Sequence, residues 1–249
     1  MTPLPLPWRI ERYDSLDSTS DFCVERARQG EPDRLMVIAA RQTAGRGRAG
    51  RVWASPEGNF YASILLRPNI PATHGGLFAL MAGLSLLEAL APFLPALDHL
   101  ALKWPNDIMA GKGKADFAKL AGILLDAAIE ADRIASLVIG FGVNLVSAPE
   151  IPGRATTSLA ALGGQVVTPD LLAPRLCARL DHWQPGLATD DAAALRAAWQ
   201  HHAHKPGVSL SVDAGRITGT YAGIDADGSL LLRQGEDVTI IRSGDVALL

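Results

Sequence analysis

Between Gln42 and Trp53 the chain reads Gln-Thr-Ala-Gly-Arg-Gly-Arg-Ala-Gly-Arg-Val-Trp, which sets three arginines (Arg46, Arg48, Arg51) among three glycines (Gly45, Gly47, Gly50). Glycine lacks a Cβ, so backbone N–H groups there can approach a ligand closely. Arginine stays charged at physiological pH and presents a planar fork matched to carboxylates and phosphates. A segment of this kind is expected to hold an anion and to close over it. It is neither of two common nucleotide loops. No G-x-x-x-x-G-K-[ST] occurs, and Gly45-x-Gly47-x-x-Gly50 shares only its glycines with the dinucleotide fingerprint. An Arg-Gly loop can also sit solvated or touch RNA, so the rest of the chain has to decide.

Four further segments carry polar residues where a buried apolar pattern would not need them. They are Asp17-Ser18-Thr19-Ser20, Lys103-Trp104-Pro105-Asn106-Asp107, Lys119-Leu120-Ala121-Gly122-Ile123-Leu124 and Gly140-Phe141-Gly142-Val143-Asn144. Taken with the arginine loop and in this order, they resemble the biotin–protein ligase family in its form without a DNA-binding domain. The resemblance runs from Arg9 to the C-terminus. It implies two steps: biotin's carboxylate attacks the α-phosphate of Mg-ATP to give biotinyl-5′-AMP, and a lysine of a carboxylase's biotin carboxyl carrier domain then displaces AMP.

The resemblance also implies roles for residues. Lys119, Arg46 and Arg48 would be catalytic. Ser18, Thr19 and Gln42, with Ser63 less directly, would bond the ureido end of biotin, and Trp53 would cover the ring or the valeryl chain. Gly45, Arg46, Arg48, Lys119 and Gly122 complete the expected biotin set. Arg48, Arg51, Lys103, Asn106, Asp107, Gly142 and Asn144 would meet the nucleotide, with Asn106, Asp107 and Asn144 the candidates nearest Mg²⁺. Gly140 and Gly142 would let backbone run close to ligand. No protein-held metal site is expected, and the loop is expected to shield the anhydride from water.

The chemistry is consistent with these types. Bringing a carboxylate to a polyphosphate demands charge neutralisation and alignment. Arg46 and Arg48 can clamp oxygens, and Lys119 can follow charge across the transferring group as a compact cation. A ureido group has two donors and one acceptor, which hydroxyl and amide side chains answer. Ser20 stands where the family commonly has asparagine, and Ala118 where it often has a basic residue. Lys112 and Lys114 compete with Lys119, although their Gly-Lys-Gly-Lys setting reads as an exposed hairpin tip. His201-His202-Ala203-His204 reads as a solvated helix end rather than a metal site.

Composition narrows the alternatives. A net charge of −3 over 249 residues argues against nucleic acid as a bulk partner. Cys23 and Cys177 stand in helical patterns and are expected as buried free thiols. Nothing resembles a signal peptide and no membrane span is expected, so the chain reads as cytoplasmic. Its oligomeric state is open between monomer and homodimer.

The elements that must position these residues alternate without strict βαβ order. A helix is predicted from the Asp17–Ser20 cap to Gly30, and strands over 35–40 and 60–66. Next come a long apolar helix over 77–90, strands over 100–104, 121–128 and 134–141, and a helical pattern over 168–200. Short strands follow over 208–212, 216–224, 229–233 and 238–241, separated by turn residues. The class is α+β: a mixed or antiparallel-sheet catalytic domain of the biotin/lipoate ligase type over 1–205, and an SH3-like β-barrel over 206–249. The rivals are a lipoate–protein ligase, which shares fold and adenylate chemistry; a non-catalytic biotin-binding sensor; and an RNA-binding protein.

Overall fold

The computed structural model describes residues 7–94, 100–111, 117–187 and 192–248. Seven strands form the main sheet: β1 (Arg9–Leu16), β2 (Leu35–Gln42), β3 (Phe60–Leu66), β4 (Leu100–Lys103), β5 (Asp107–Ala110), β6 (Ala118–Glu130) and β7 (Arg133–Val143). Their spatial order is β1-β2-β3-β7-β6-β5-β4. β1 runs parallel to β2 and every other pair is antiparallel, so the sheet is mixed, as the class requires.

Side chains alternate between the two faces of a strand, and β2 uses both. Leu35 and Val37 join Cys23, Leu65 and Val138 under α1 (Thr19–Arg28), whereas Met36 and Ile38 join the larger core on the other face. That core is built around α2 (Gly75–Leu90), with α3 (Pro169–Trp183) and α4 (Ala193–His201) packed against it. The segment Ala72–Phe93 is long and apolar enough to cross a membrane, but 72% of its window is buried inside the protein, as suits a central core helix. Cys23 and Cys177 are free and buried, and burial pushes both thiols up to about 12.

The second sheet has five antiparallel strands in the order β11-β10-β9-β8-β12: β8 (Ser209–Val212), β9 (Ile217–Ile224), β10 (Leu230–Gln234), β11 (Asp237–Ile241) and β12 (Val246–Leu248). It seats on the start of α2 backbone to backbone. A Cβ on Gly76 would stand 2.5 Å from the Asp227 carbonyl oxygen, and one on Gly228 would stand 2.7 Å from the Gly76 carbonyl carbon. Trp104, which follows β4 and is 5% exposed, donates its indole N–H to the Gly228 carbonyl at 3.0 Å. Trp104 is therefore a joint between the two sheets.

Several local expectations change. The 168–200 pattern divides into α3 and α4, with a 3-10 turn at Gln184–Leu187 that contains Pro185 and Gly186. β1, β5 and β12 join the predicted strands. The histidines end α4 as expected, with His201 exposed and His202 as the cap, but His204 beyond it is partly buried with no partner for Nε2. Lys112 and Lys114 lie outside the described residues.

Candidate active site

The arginine loop leaves β2 and folds back on itself. Gly47 N–H donates to the Arg51 carbonyl at 2.7 Å and Trp53 N–H to the Gly45 carbonyl at 2.9 Å, with Arg46 and Val52 bridged between them. Its tip, Arg48–Gly50, makes a 3-10 turn with Ala49 at φ 54° and Gly50 at φ 72°. Glycine is required at the crossing: a Cβ on Gly45 would stand 2.5 Å from the Trp53 carbonyl oxygen. Gly45 thus shapes the loop and does not line the main cavity.

That cavity holds about 400 Å³ and opens under the loop, over β6 and β7 at the N-terminal end of α1. Its floor is two glycines paired across the strands, Gly122 and Gly142. The Trp53 ring rests on them: a Cβ on Gly142 would stand 2.5 Å from Trp53 Cε2, and one on Gly122 would stand 2.9 Å from Cζ3. Trp53 Nε1 is buried there without a partner.

One end of the cavity is uncharged and polar. Ser18 caps α1 and accepts from the Asp21 N–H at 3.2 Å. Thr19 donates its backbone N–H to Gln42 Oε1 at 2.8 Å, and its hydroxyl lies 2.8 Å from that of Ser63. Ser20 lies 3.0 Å from the same Ser63 hydroxyl. Ser18, Thr19, Ser20 and Gln42 face the cavity, whereas Ser63 is fully buried behind them and acts through Thr19 and Ser20.

The other end is cationic. Lys119 on β6 donates from Nζ to Asp107 Oδ1 at 2.6 Å, and Nζ lies 5.4 Å from the centre of the Trp53 ring. Arg46 is paired with Asp21 and Asp126. Arg51 donates to Asp245 Oδ2 at 3.1 Å, and Arg154 reaches the same oxygen at 2.8 Å. Arg48 differs from both loop neighbours. Among the described residues its guanidinium meets only neutral acceptors, Asn106 Oδ1 at 3.1 Å and the Gly244 carbonyl at 3.4 Å. An unneutralised arginine is the one best placed to attract an incoming anion.

Asn106 is fixed by donating to the Ile123 carbonyl at 2.6 Å. Asn144, 2% exposed, donates to the Thr157 carbonyl at 3.1 Å and keeps Oδ1 buried without a protein partner. A buried acceptor left open on a cavity wall is a place for a ligand donor. Asp107 is committed to Lys119, and no group of three or more metal-ligating side chains gathers among the described residues. Lys103 does not line the cavity. Burial lowers its ammonium pKa, with Asp107 and Asp245 opposing the shift.

Of the residues read from motifs, the cavity gathers Ser18, Thr19, Gln42, Arg46, Arg48, Arg51, Trp53, Asn106, Asp107, Lys119, Gly122, Gly142 and Asn144. Gly45, Ser63 and Lys103 stand outside it. Arg154 and Asp245 were missed. They are single charged residues in loops with no motif around them, and only the tertiary fold brings them to the cavity.

A sequence profile of the biotin/lipoate A/B protein ligase family matches residues 13–144, and one of the biotin protein ligase C-terminal domain matches residues 208–249. The chain belongs to the biotin/lipoate A/B protein ligase family. It is 35% identical over 242 residues to the biotin–[acetyl-CoA-carboxylase] ligase of Paracoccus denitrificans, covering 92% of this chain and 96% of that one. It is 31% identical to the bifunctional ligase/repressor of Bacillus subtilis, covering 95% of this chain and 73% of that one. A biotin protein ligase from Aquifex aeolicus, solved in complex with biotin and ATP, superposes with a TM-score of 0.77 at 26% identity, covering 96% of this chain and 98% of that one. Within the family, the chain is an enzyme of the biotin–protein ligase class.

Proposed function

We propose that this enzyme activates biotin with Mg-ATP and transfers it to a lysine of a biotin carboxyl carrier domain of a carboxylase. The observation that carries the reading is one cavity with a neutral polar end, a glycine floor and a cationic end holding Arg48 and Lys119.

In the first step a biotin carboxylate oxygen attacks the α-phosphorus, and the bond to the bridging oxygen breaks to release pyrophosphate. Arg48 and Lys119 neutralise the charge that accumulates between the two anions. Arg46 holds the loop over the cavity through its carboxylate partners and contributes field at the carboxylate. Ser18, Thr19 and Gln42 bond the ureido group, with Ser63 fixing Thr19. Trp53 moves off the glycine floor to cover the ring system. Asn106, Asn144 and Arg51 meet the nucleotide, with Gly142 beneath it. Mg²⁺ arrives as the counter-ion of the substrate ATP.

In the second step the carrier lysine's neutral amine attacks the anhydride carbonyl, AMP leaves, and the amine proton passes to solvent. AMP is a good leaving group, so the step needs no elaborate base. We read residues 206–249 as the β-domain, whose Asp245 lines the cavity. The buried, unoxidised cysteines fit a reducing cytoplasm.

A lipoate ligase is the second reading. The three hydroxyls and one amide at the neutral end favour biotin, because lipoate's dithiolane has no N–H or carbonyl to satisfy them. The test is to incubate enzyme, biotin and α-labelled ATP without carrier. Labelled biotinyl-AMP should accumulate and discharge as AMP when carrier is added. Label that stays in ATP, or an adenylate formed equally well with lipoate, would refute the reading.

A further inference from the structure

The turn before β12 presents two acceptors to arginines from separate parts of the chain. The Gly244 carbonyl faces Arg48, and the Asp245 carboxylate takes both Arg51 of the loop and Arg154 of the segment after β7. The turn is held for that purpose from behind. Asp245 N–H donates to Asp213 Oδ1 at 2.9 Å, and Asp213 N–H donates to the Asp245 carbonyl at 2.9 Å. Gly244 sits at φ 151°, and a Cβ there would stand 2.7 Å from Val212 Cγ1. The backbone is therefore pinned while the carboxylate is aimed at the cavity.

Stability is a poor explanation for the cluster. Its side chains are 39 to 50% exposed, and ion pairs that open to water contribute little to folding. Position is a better one, because Arg51, Arg154 and Asp245 all line the cavity. Two guanidiniums set side by side repel each other and are costly to order. One carboxylate between them removes the repulsion and leaves a net positive charge. Among the described residues neither arginine is saturated by it: Arg51 donates from Nη1 to Asp245 and from Nε to the Arg48 carbonyl, and Arg154 donates from Nη2. The remaining donors are free to meet phosphate oxygens, which carry more charge than the carboxylate that gathers them.

We propose that Asp245 is a positioning residue that assembles Arg51 and Arg154 into a polyphosphate clamp, so that the C-terminal β-domain completes the nucleotide side of the site. This rests on the adenylating function proposed above. The ordering of both arginines is done before the nucleotide arrives, which is the general benefit of preorganisation. Arg154 thereby becomes a nucleotide-binding residue that no motif marks.

The test is biotin-dependent ATP–pyrophosphate exchange by the full chain, with ATP and biotin titrated separately. Asp245→Asn should raise the KM for ATP about tenfold, ~1.4 kcal/mol of binding, and leave kcat and the KM for biotin within about twofold. Asp245→Glu should recover most of the loss. Arg154→Ala should raise the same KM, and adding Asp245→Asn to it should change little more. If Asp245→Asn folds poorly, Asp245→Glu and Arg154→Ala carry the test: an unchanged KM for ATP in Arg154→Ala would overturn the clamp by itself.

A fall in the ATP KM of Asp245→Asn would mean that the carboxylate competes with phosphate, and would overturn the proposal. A lower melting temperature with both KM values unchanged would reduce Asp245 to a structural contact and overturn it equally. A wild-type protein without biotin-dependent exchange would overturn the functional reading and this one together. Normal wild-type exchange with an indifferent Asp245→Asn would overturn this one alone.

Discussion

Lys119 and Asp107 meet across β5 and β6 with Nζ and Oδ1 2.6 Å apart, on the wall that faces the Trp53 ring. The carboxylate holds the ammonium in place, yet the Lys119 side chain remains 21% exposed. A compact cation fixed in this way can serve a transferring phosphate without being reordered for each turnover.

Lys119→Ala should slow adenylate formation by about 10²–10³-fold, the range for removing one preorganised electrostatic group. The Asp107 carboxylate would lose its partner, so the melting temperature should fall slightly, and Asp107→Asn in the same chain should restore it without restoring the rate. Rapid-quench measurement of adenylate checks the first part and calorimetry the second. An unchanged rate would remove Lys119 from the chemistry and turn attention to Lys112 or Lys114.

Among the described residues, Arg48 is the loop arginine whose guanidinium meets neutral partners only. Arg48→Ala should weaken retention of the adenylate more than it damages folding. Bystander proteins mixed with the variant, biotin and ATP should become labelled on many lysines, which avidin blotting detects. Labelling confined to the carrier would show that another group retains the intermediate.

The glycine floor leaves no room for a methyl group under Trp53. Gly122→Ala should push the ring aside and narrow the slot, raising the KM for biotin at least about tenfold, which corresponds to ~1.4 kcal/mol. The Trp53 fluorescence of the unliganded protein should shift as well, read against a Trp53→Phe background. A variant with wild-type biotin affinity would mean that biotin does not use this floor.

The pH dependence of stability has a named contributor in His204. Burial lowers its pKa from the ordinary 6.5, and the charge of Lys103 lowers it further. The folded chain therefore binds fewer protons than the unfolded chain just below pH 6.5, so stability must fall as pH falls from there toward the folded value. His204→Gln should flatten the melting temperature profile between about pH 7 and pH 5. A profile with the same slope as wild type would assign the pH dependence to other groups.

Legibility in the sequence followed the range of the interactions. Ser18 and Thr19 were visible because a helix cap is a local pattern, and the arginine loop because its glycines and charges are contiguous. β3 and α2 were visible because nearly all of their residues are apolar. β1 was harder to see: Arg9-Ile-Glu-Arg-Tyr-Asp-Ser-Leu is mostly polar, as befits an edge strand. β5 and β12 have four and three residues, too few for a period to show. Ser63, a weaker candidate for ligand contact, lies behind Thr19 and Ser20. A hydroxyl's type is readable, but whether it faces a cavity or a second hydroxyl depends on which helix covers that part of the sheet. Arg154 and Asp245 mark the limit. They are about ninety residues apart, in turns of unremarkable composition, and meet only because the small sheet seats on α2.

If the cavity activates biotin with ATP, the enzyme must catalyse biotin-dependent ATP–pyrophosphate exchange. Purified protein with Mg²⁺, ATP and labelled pyrophosphate should incorporate label into ATP when biotin is present, and should remain at background with lipoate or with no acid. Exchange that follows lipoate would keep the fold and reverse the substrate. No exchange with either acid would contradict the account and leave a binding protein that keeps the pocket without the chemistry.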